Sequence, residues 1–301
     1  MSAPAMTSTR ASNSTWQQLA KNSAIRFGAI VLGILLFVSI FAPFLGTVDP
    51  SVMDSSHINT ASGVRAAFAL PDGSSPMHSF WFGADSFGRD IYSRVLYGTR
   101  VSLLVGFSTA LVAISIGALL GMLAGYFRIV DAILMRFMDG LMAIPSILLA
   151  IALVAALGAQ VWTVVVAIAI PEIPRVTRLV RSLVLTLREE PFVEAAKALA
   201  TPTPTILLRH ILPNALAPMI VQGTFVAASA VLTEAVLSFL GLGLPSDIPT
   251  WGNIMAEGRV QFTQYPGNVL WPAMFLVPTV LAINLLGDGL RDVLDPKFAK
   301  R

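Results

Sequence analysis

Of 301 residues, 55% are hydrophobic and 12% charged, and the mean hydropathy is +0.75, too apolar for a chain that must solvate its whole surface in water. The formal charge of +3 and pI near 9.5 would suit a nucleic-acid partner, but the basic residues sit in short clusters between apolar runs, the pattern of cytoplasmic loops in a membrane protein, and nucleic acid is excluded. Cysteine is absent, which removes disulfide scaffolds, thiolate metal sites and cysteine nucleophiles.

Residues 1–23 are rich in Ser, Thr, Asn and Ala without apolar period and read as a tail. The run Ile25–Leu45 is too long for a secretory apolar core and lacks a small-residue cleavage site, so residues 24–45 are expected to form the first membrane helix. Residues 46–98 hold Asp49, Pro50, Asp54, Pro71, Asp72, Gly73, Pro76, Gly83 and Gly88, a density of turn formers that predicts a long extramembrane loop. Five further apolar runs follow at about 101–126, 138–158, 161–174, 216–243 and 269–287. Residues 99–290 are thus expected to form a five-helix core that includes a cytoplasmic loop at 187–214, with a tail at 291–301. Pro171 and Pro174 in the fourth span are tolerable where neighbouring helices satisfy the freed backbone groups.

The 20 Lys and Arg set the orientation. Fifteen fall on the side of the two termini and the 187–214 loop, among them Arg10, Lys21, Arg128, Arg136, Arg175, Arg178, Arg181, Arg188, Lys197, Arg209, Lys297, Lys300 and Arg301. Only Arg65, Arg89, Arg94, Arg100 and Arg259 fall on the other. Both termini are therefore expected in the cytoplasm, and the 46–98 loop outside.

Within 187–214, Glu194-Ala195-Ala196-Lys197-Ala198-Leu199-Ala200 favours a helix, Thr201-Pro202-Thr203-Pro204 breaks it, and Ile206, Leu207 and Ile211 support a second short helix until Pro213. Such a projection can insert into a partner's groove, its alanines allowing close approach while Glu194, Lys197 and Arg209 set orientation. An ordinary hairpin without a partner reads equally well. In the outer loop, Gly83 and Gly88 permit tight turns while Asp85, Arg89 and Asp90 can cross-pair, giving either a rigid outer rim or turn chemistry alone. Glu234 lies inside an apolar run, where an ionised side chain is costly; it either faces a translocation pathway or is a buried carboxylate hydrogen-bonded to another helix. Gly117, Gly121 and Gly125 form a flat strip for close packing, within the chain or against a sister subunit. Asp139 is expected to pair with Arg136.

These segments resemble a known family. Glu194-Ala195-Ala196, a helix break, and Ile211-Leu212-Pro213-Asn214 look like the coupling loop of bacterial ABC importer permeases. That family usually has Gly at the position of Ala200, so the Thr201–Pro204 segment is expected to take over the turn. Phe82–Arg94 with Tyr97-Gly98-Thr99-Arg100, Glu234–Gly243 with Pro249-Thr250-Trp251-Gly252, and Leu286–Asp292 with Leu294-Asp295-Pro296 resemble the second permease subunit of dipeptide, oligopeptide and nickel importers.

The resemblance implies an all-α integral membrane fold of about six transmembrane helices, of the type I ABC importer kind, in a bacterial inner membrane. It implies a homologous permease partner, two ATPase subunits contacted through Glu194, Ala195, Ala196, Ala200, Arg209 and Pro213, and an extracytoplasmic solute-binding protein. No Gly-x-x-x-x-Gly-Lys-Ser/Thr segment occurs, so ATP and Mg are expected on the partner ATPases, with no cofactor or catalytic residue in this chain. His57, His78 and His210 have no metal-site spacing. Peptides are the expected cargo, with nickel, glutathione and murein peptides as alternatives. Two other classes compete. An intramembrane aspartyl protease would use Asp139 and Asp288, but both lie near helix ends beside Arg136 and Arg291. A secondary transporter would require intramembrane acids in corresponding halves, and only Glu234 sits deep.

Overall fold

The computed structural model describes residues 19–294. Arg10 in the expected N-terminal tail, and Lys297, Lys300 and Arg301 in the C-terminal one, lie outside them. Helix α1 (Ser23–Phe41) begins where the Asn22 side chain accepts hydrogen bonds from the backbone N–H of Ala24 (2.9 Å) and Ile25 (3.2 Å). Its Gly28 lets the backbone approach α9 (Gly267–Leu294), since a Cβ there would stand 2.6 Å from the Ala282 carbonyl oxygen.

The outer loop is ordered around a small antiparallel hairpin, β1 (Val64–Ala67) and β2 (Met77–Phe80), in register Val64↔Phe80. Phe68, Phe80 and Ala84 are fully buried beneath it. The hairpin is a small addition to an otherwise helical chain, and it escapes the sequence because four-residue strands with alanines in one of them give too little alternation to read as strands. The loop also ends earlier than residue 98. Asp90 caps α2 (Ile91–Tyr126), accepting from Ser93 N–H at 2.9 Å.

At 36 residues α2 is about 54 Å long, well beyond a hydrocarbon core of about 30 Å. It packs along α5 (Val161–Leu187) through the glycine strip. A Cβ on Gly117, Gly121 or Gly125 would lie 2.6, 2.7 or 2.6 Å from the Cβ of Val176, Val180 or Val184. The strip thus serves contact within the chain, and the two helices run parallel.

Between them, the expected single run 138–158 is two helices, α3 (Arg128–Met142) and α4 (Ser146–Leu157), bent by 88° at Ala143–Pro145. Pro145 cannot continue the α3 hydrogen-bond ladder. Helix α5 runs through Pro171 and Pro174 to Leu187, well past the expected end of its apolar run.

Among the described residues, four helices are long and apolar enough to cross a membrane, or up to five if the bent α3–α4 pair is counted as one span. The difference from the expected count of about six lies in α5, which has the length, at 27 residues, but carries Glu172, Arg175, Arg178 and Arg181 and so falls outside a measure of length and composition. After a short α6 (Pro191–Ala198), α7 (Leu212–Phe239) returns across the core. A short α8 (Trp251–Gly258), opened by a Thr250–Asn253 capping box, tucks against α7 and α9.

Candidate functional site

The segment after α5 is built from its ends inward. Pro191 occupies the first turn of α6, where its missing N–H costs nothing. Val193 and Ala196 are buried and join Ile206, Leu207 and Ile211 in one apolar cluster. The base is tied down by Lys197 Nζ donating to the Arg188 carbonyl at 3.1 Å and Arg188 Nη1 donating to the Gly125 carbonyl at 3.2 Å.

The helix ends in a Schellman motif. Thr201 N–H donates to the Ala196 carbonyl at 3.1 Å, and Ala200 N–H to the Lys197 carbonyl at 2.9 Å. Ala200 itself adopts φ 55°. The expectation that Thr201–Pro204 would replace the left-handed residue is therefore corrected: the turn is kept, and an alanine bears it, because the two closing hydrogen bonds require that backbone.

The second short helix does not stop at Pro213. Thr203–Thr205, a π-helical turn at Ile206–Ile211 and α7 form one continuous stretch, Thr203–Phe239. Pro213 would clash with the Arg209 carbonyl in a straight α-helix, and the wider turn just ahead of it gives the ring room. Of the expected contact residues, Glu194, Ala195, Ala200, Arg209 and Pro213 are exposed, while Ala196 is spent on the internal cluster. Exposed beside them are Phe192, Leu199 (81% exposed) and Leu208 (59%). Sequence reasoning missed these three, although each lies off the Ile206, Leu207, Ile211 face.

On the opposite side of the molecule the outer loop closes on two glycines with positive φ. A Cβ on Gly83 would lie 2.6 Å from the Thr60 carbonyl oxygen, and one on Gly88 1.9 Å from that of Asp54. Asp85 Oδ1 accepts from Phe87 N–H (2.8 Å) and Arg89 N–H (3.0 Å), holding the intervening turn. Its Oδ2 accepts from Arg89 Nε (2.7 Å) and Arg94 Nη1 (2.6 Å).

Glu257 of α8 completes the cluster, its Oε2 accepting from Arg89 Nη2 at 2.5 Å and Arg94 Nη1 at 2.6 Å. The Ser246 carbonyl takes two further guanidinium N–H groups. Two arginines thus face two carboxylates, both guanidinium groups buried. Burial pulls the Arg89 guanidinium below its ordinary range and the neighbouring Arg94 adds to this, while Asp85 and Glu257 oppose it. Asp90 stands apart from the pairing expected of it, because capping α2 uses its carboxylate, which also lies 3.3 Å from His78 Nε2. Glu257 was missed; it lies 168 residues from Arg89.

Glu234 has no exposed surface. Its Oε1 accepts from Ser238 Oγ at 2.7 Å on the same helix, and Oε2 has no hydrogen-bond partner among the described residues. Helix α8 is pressed onto α7 beside it, where a Cβ on Gly252 would stand 2.7 Å from Ala235 Cα, and is tied to α2 by Trp251 Nε1, which donates to the Val95 carbonyl at 3.2 Å. Asp139 pairs with Arg178 of α5 at 2.7 Å, correcting the Arg136 expectation, because α3 lies across α5. That ion pair and the exposed position of Asp288 offer no buried catalytic dyad.

A bundle of bent and proline-bearing membrane helices, with a hairpin projecting from one face and an ion-paired rim on the other, is the type I fold of an importer permease. The chain belongs to the family of binding-protein-dependent transport system inner membrane components, which its residues 113–300 match. Residues 12–62 match the N-terminal TM domain of oligopeptide transport permease C. It is accordingly a multi-pass protein of the inner membrane.

The probable peptide ABC transporter permease protein y4tQ of Sinorhizobium fredii is 45% identical over 99% of both chains. A dipeptide transport system permease protein of Alkalihalophilus pseudofirmus is 42% identical over 94% of this chain and 89% of its own. A glutathione transport system permease protein of Pectobacterium atrosepticum is 41% identical over 94% and 90%. Among solved structures, the inward-facing MetNI methionine ABC transporter superposes with a TM-score of 0.52 at 20% identity, over 67% of this chain and 96% of that one. That likeness concerns the fold alone.

Proposed function

We propose that this chain is the second permease subunit of a peptide importer, carrying peptides across the inner membrane by alternating access and hydrolysing no ATP itself. A homologous permease completes the pathway, two ATPase subunits bind ATP and Mg, and an extracytoplasmic binding protein delivers cargo to the outer rim. Both termini and the 187–214 segment face the cytoplasm, in line with the basic-residue asymmetry.

The observation that carries the coupling role is the contrast within that segment. Val193, Ala196, Ile206, Leu207 and Ile211 are buried as an internal base, whereas Glu194, Leu199, Leu208 and Arg209 are left on the outside. Exposed leucines bracketed by opposite charges suit a groove that covers them. ATP-driven closure of the ATPases would then move a projection already continuous with α7, and so reach the membrane core without a hinge at Pro213. Peptide cargo is supported by a relative whose name specifies dipeptides; glutathione, named for another relative, nickel and murein peptides are the alternatives. Complete burial of Glu234 within the single chain favours packing over a pathway lining.

The test is Glu194→Arg in the assembled transporter, measured by cargo-stimulated ATPase activity and uptake together. Burying a mismatched charge at a docking face costs about 2–5 kcal/mol, so both activities should fall at least ten-fold while membrane insertion persists. Unchanged activities would remove the coupling assignment.

A further inference from the structure

Helix α3 is more than a connector. Asp131 and Asp139 are eight residues apart on it, about 12 Å along its axis, yet they bind Arg181 and Arg178, only three residues apart on α5 and about 4.5 Å along that axis. Asp131 Oδ2 accepts from Arg181 Nη2 at 2.7 Å, and Asp139 Oδ1 from Arg178 Nη2 at 2.7 Å. Advancing that little along α5, which runs parallel to the membrane-crossing α2, α3 lies steeply across both, close to the membrane plane. The 88° bend into α4 agrees.

The face turned away from α5 is apolar and bare. Ile129, Ile133 and Phe137 recur every fourth residue and are 78%, 70% and 62% exposed. Ile144 at the bend and Leu148 on α4 are also exposed. Arg128 and Arg136 each precede a residue of this stripe and so stand along one edge of it, about a quarter-turn away. Both are exposed, and neither makes an ion pair among the described residues, unlike Arg178 and Arg181.

We propose that α3 is an in-plane helix seated in one leaflet, and that Arg128 and Arg136 form a site for anionic phospholipid headgroups. Charge complementarity selects this occupant. Bulky apolar side chains reach the acyl region while long guanidinium stems extend to the phosphates, the arrangement of an interfacial amphipathic helix. The ion pairs hold α3 beside the coupling segment, so the leaflet is the cytoplasmic one if the sidedness proposed above holds, and that leaflet carries the anionic lipid. Lipid there would brace the α3–α5 contact on which the coupling segment stands.

The absence of cysteine allows a direct test. Ile133→Cys, and Ile129→Cys as a second position, are labelled with bimane in the complete transporter and placed in nanodiscs containing phosphatidylglycerol. Quenching by lipid carrying a doxyl group near the headgroup, with little quenching by iodide, is expected. Protection from both quenchers would mean that a partner subunit covers α3, and quenching by iodide alone that it stands in water; either overturns the proposal. In native mass spectrometry, preference for phosphatidylglycerol over phosphatidylcholine should fall about five-fold for each arginine replaced in Arg128→Gln and Arg136→Gln. An unchanged preference would remove the headgroup site. Labelling of Glu194→Cys by an impermeant thiol reagent from outside the cell would overturn the sidedness while leaving the lipid seating of α3 readable.

Discussion

Val180 occupies the space that a side chain on Gly121 would need, its Cβ standing 2.7 Å from where the Gly121 Cβ would be. Repeated at Gly117–Val176 and Gly125–Val184, this is a strip of absent side chains on α2 receiving a ridge of valines on α5. Gly121→Ala should therefore destabilise the folded subunit by about 1–3 kcal/mol. Thermal unfolding of the purified complex would show this as a lowered midpoint, and Val180→Gly, which removes the crowding Cβ and leaves only the Thr177 carbonyl oxygen at 2.7 Å, should restore part of the loss, since the two residues share one volume. Additive losses in the double variant would refute the contact.

Ala200 gives a prediction of opposite sign. A non-glycine residue at φ 55° carries a backbone penalty of about 1–2 kcal/mol, offset here by the two closing hydrogen bonds. Ala200→Gly should relieve it and slow hydrogen exchange across Pro191–Thr201 about five-fold or more. Ala200→Val, with a branched Cβ in the same conformation, should speed exchange. Faster exchange in the glycine variant would show that the left-handed turn is not populated.

The outer-rim cluster is balanced, two guanidinium groups against Asp85 and Glu257. Removing one partner leaves a buried charge uncompensated, so Arg94→Met should cost about 3–5 kcal/mol and open the 46–90 loop to protease in spheroplasts. Glu257→Gln should act on the same contact, leaving Arg89 and Arg94 short of one carboxylate. A loop equally resistant to protease in both variants would mean that the cluster does not hold it.

Asp54 supplies a pH dependence. Burial raises its carboxyl, but hydrogen bonds from Ala69 N–H (2.9 Å), the Ser56 hydroxyl and N–H, and His57 together hold it well below the usual carboxylate range. A depressed folded value contributes stability that is fully present above the unfolded value, near about 3.9, and is lost as pH falls through the folded value. Asp54→Asn should weaken the loop by about 1.5–3 kcal/mol at pH 7. The difference from the parent should be the same at pH 5 and shrink only below about pH 4. Local exchange of Ala69 N–H would report it, and a difference already shrinking between pH 7 and 5 would contradict the assignment.

Much of this molecule could be read from local chemistry. Membrane spans announce themselves because transfer to hydrocarbon sums over about twenty neighbouring residues. The turn at Gly83–Gly88, the Glu194–Ala200 helix and its break are likewise set by residues within one or two turns of each other. The Asp85–Arg89 pair was legible for the same reason, at a separation of four residues.

Tertiary structure alone decided the pairings between distant elements. Nothing around Glu257 marks it as the acceptor for Arg89 and Arg94, nothing around Asp139 prefers Arg178 to Arg136, and a glycine strip names no partner ridge. Helix α5 reads too short in the sequence, and the run at 138–158 reads as one helix that begins ten residues late, because hydropathy records how apolar a segment is and not what its charges meet or where its axis turns. Ala200 is the sharpest case: its own propensity opposes a left-handed backbone, and two hydrogen bonds with buried Val193 and Ala196 behind them override it. Long-range pairing depends on which surfaces close packing brings into register, and that information belongs to the assembled helices rather than to any window of the chain.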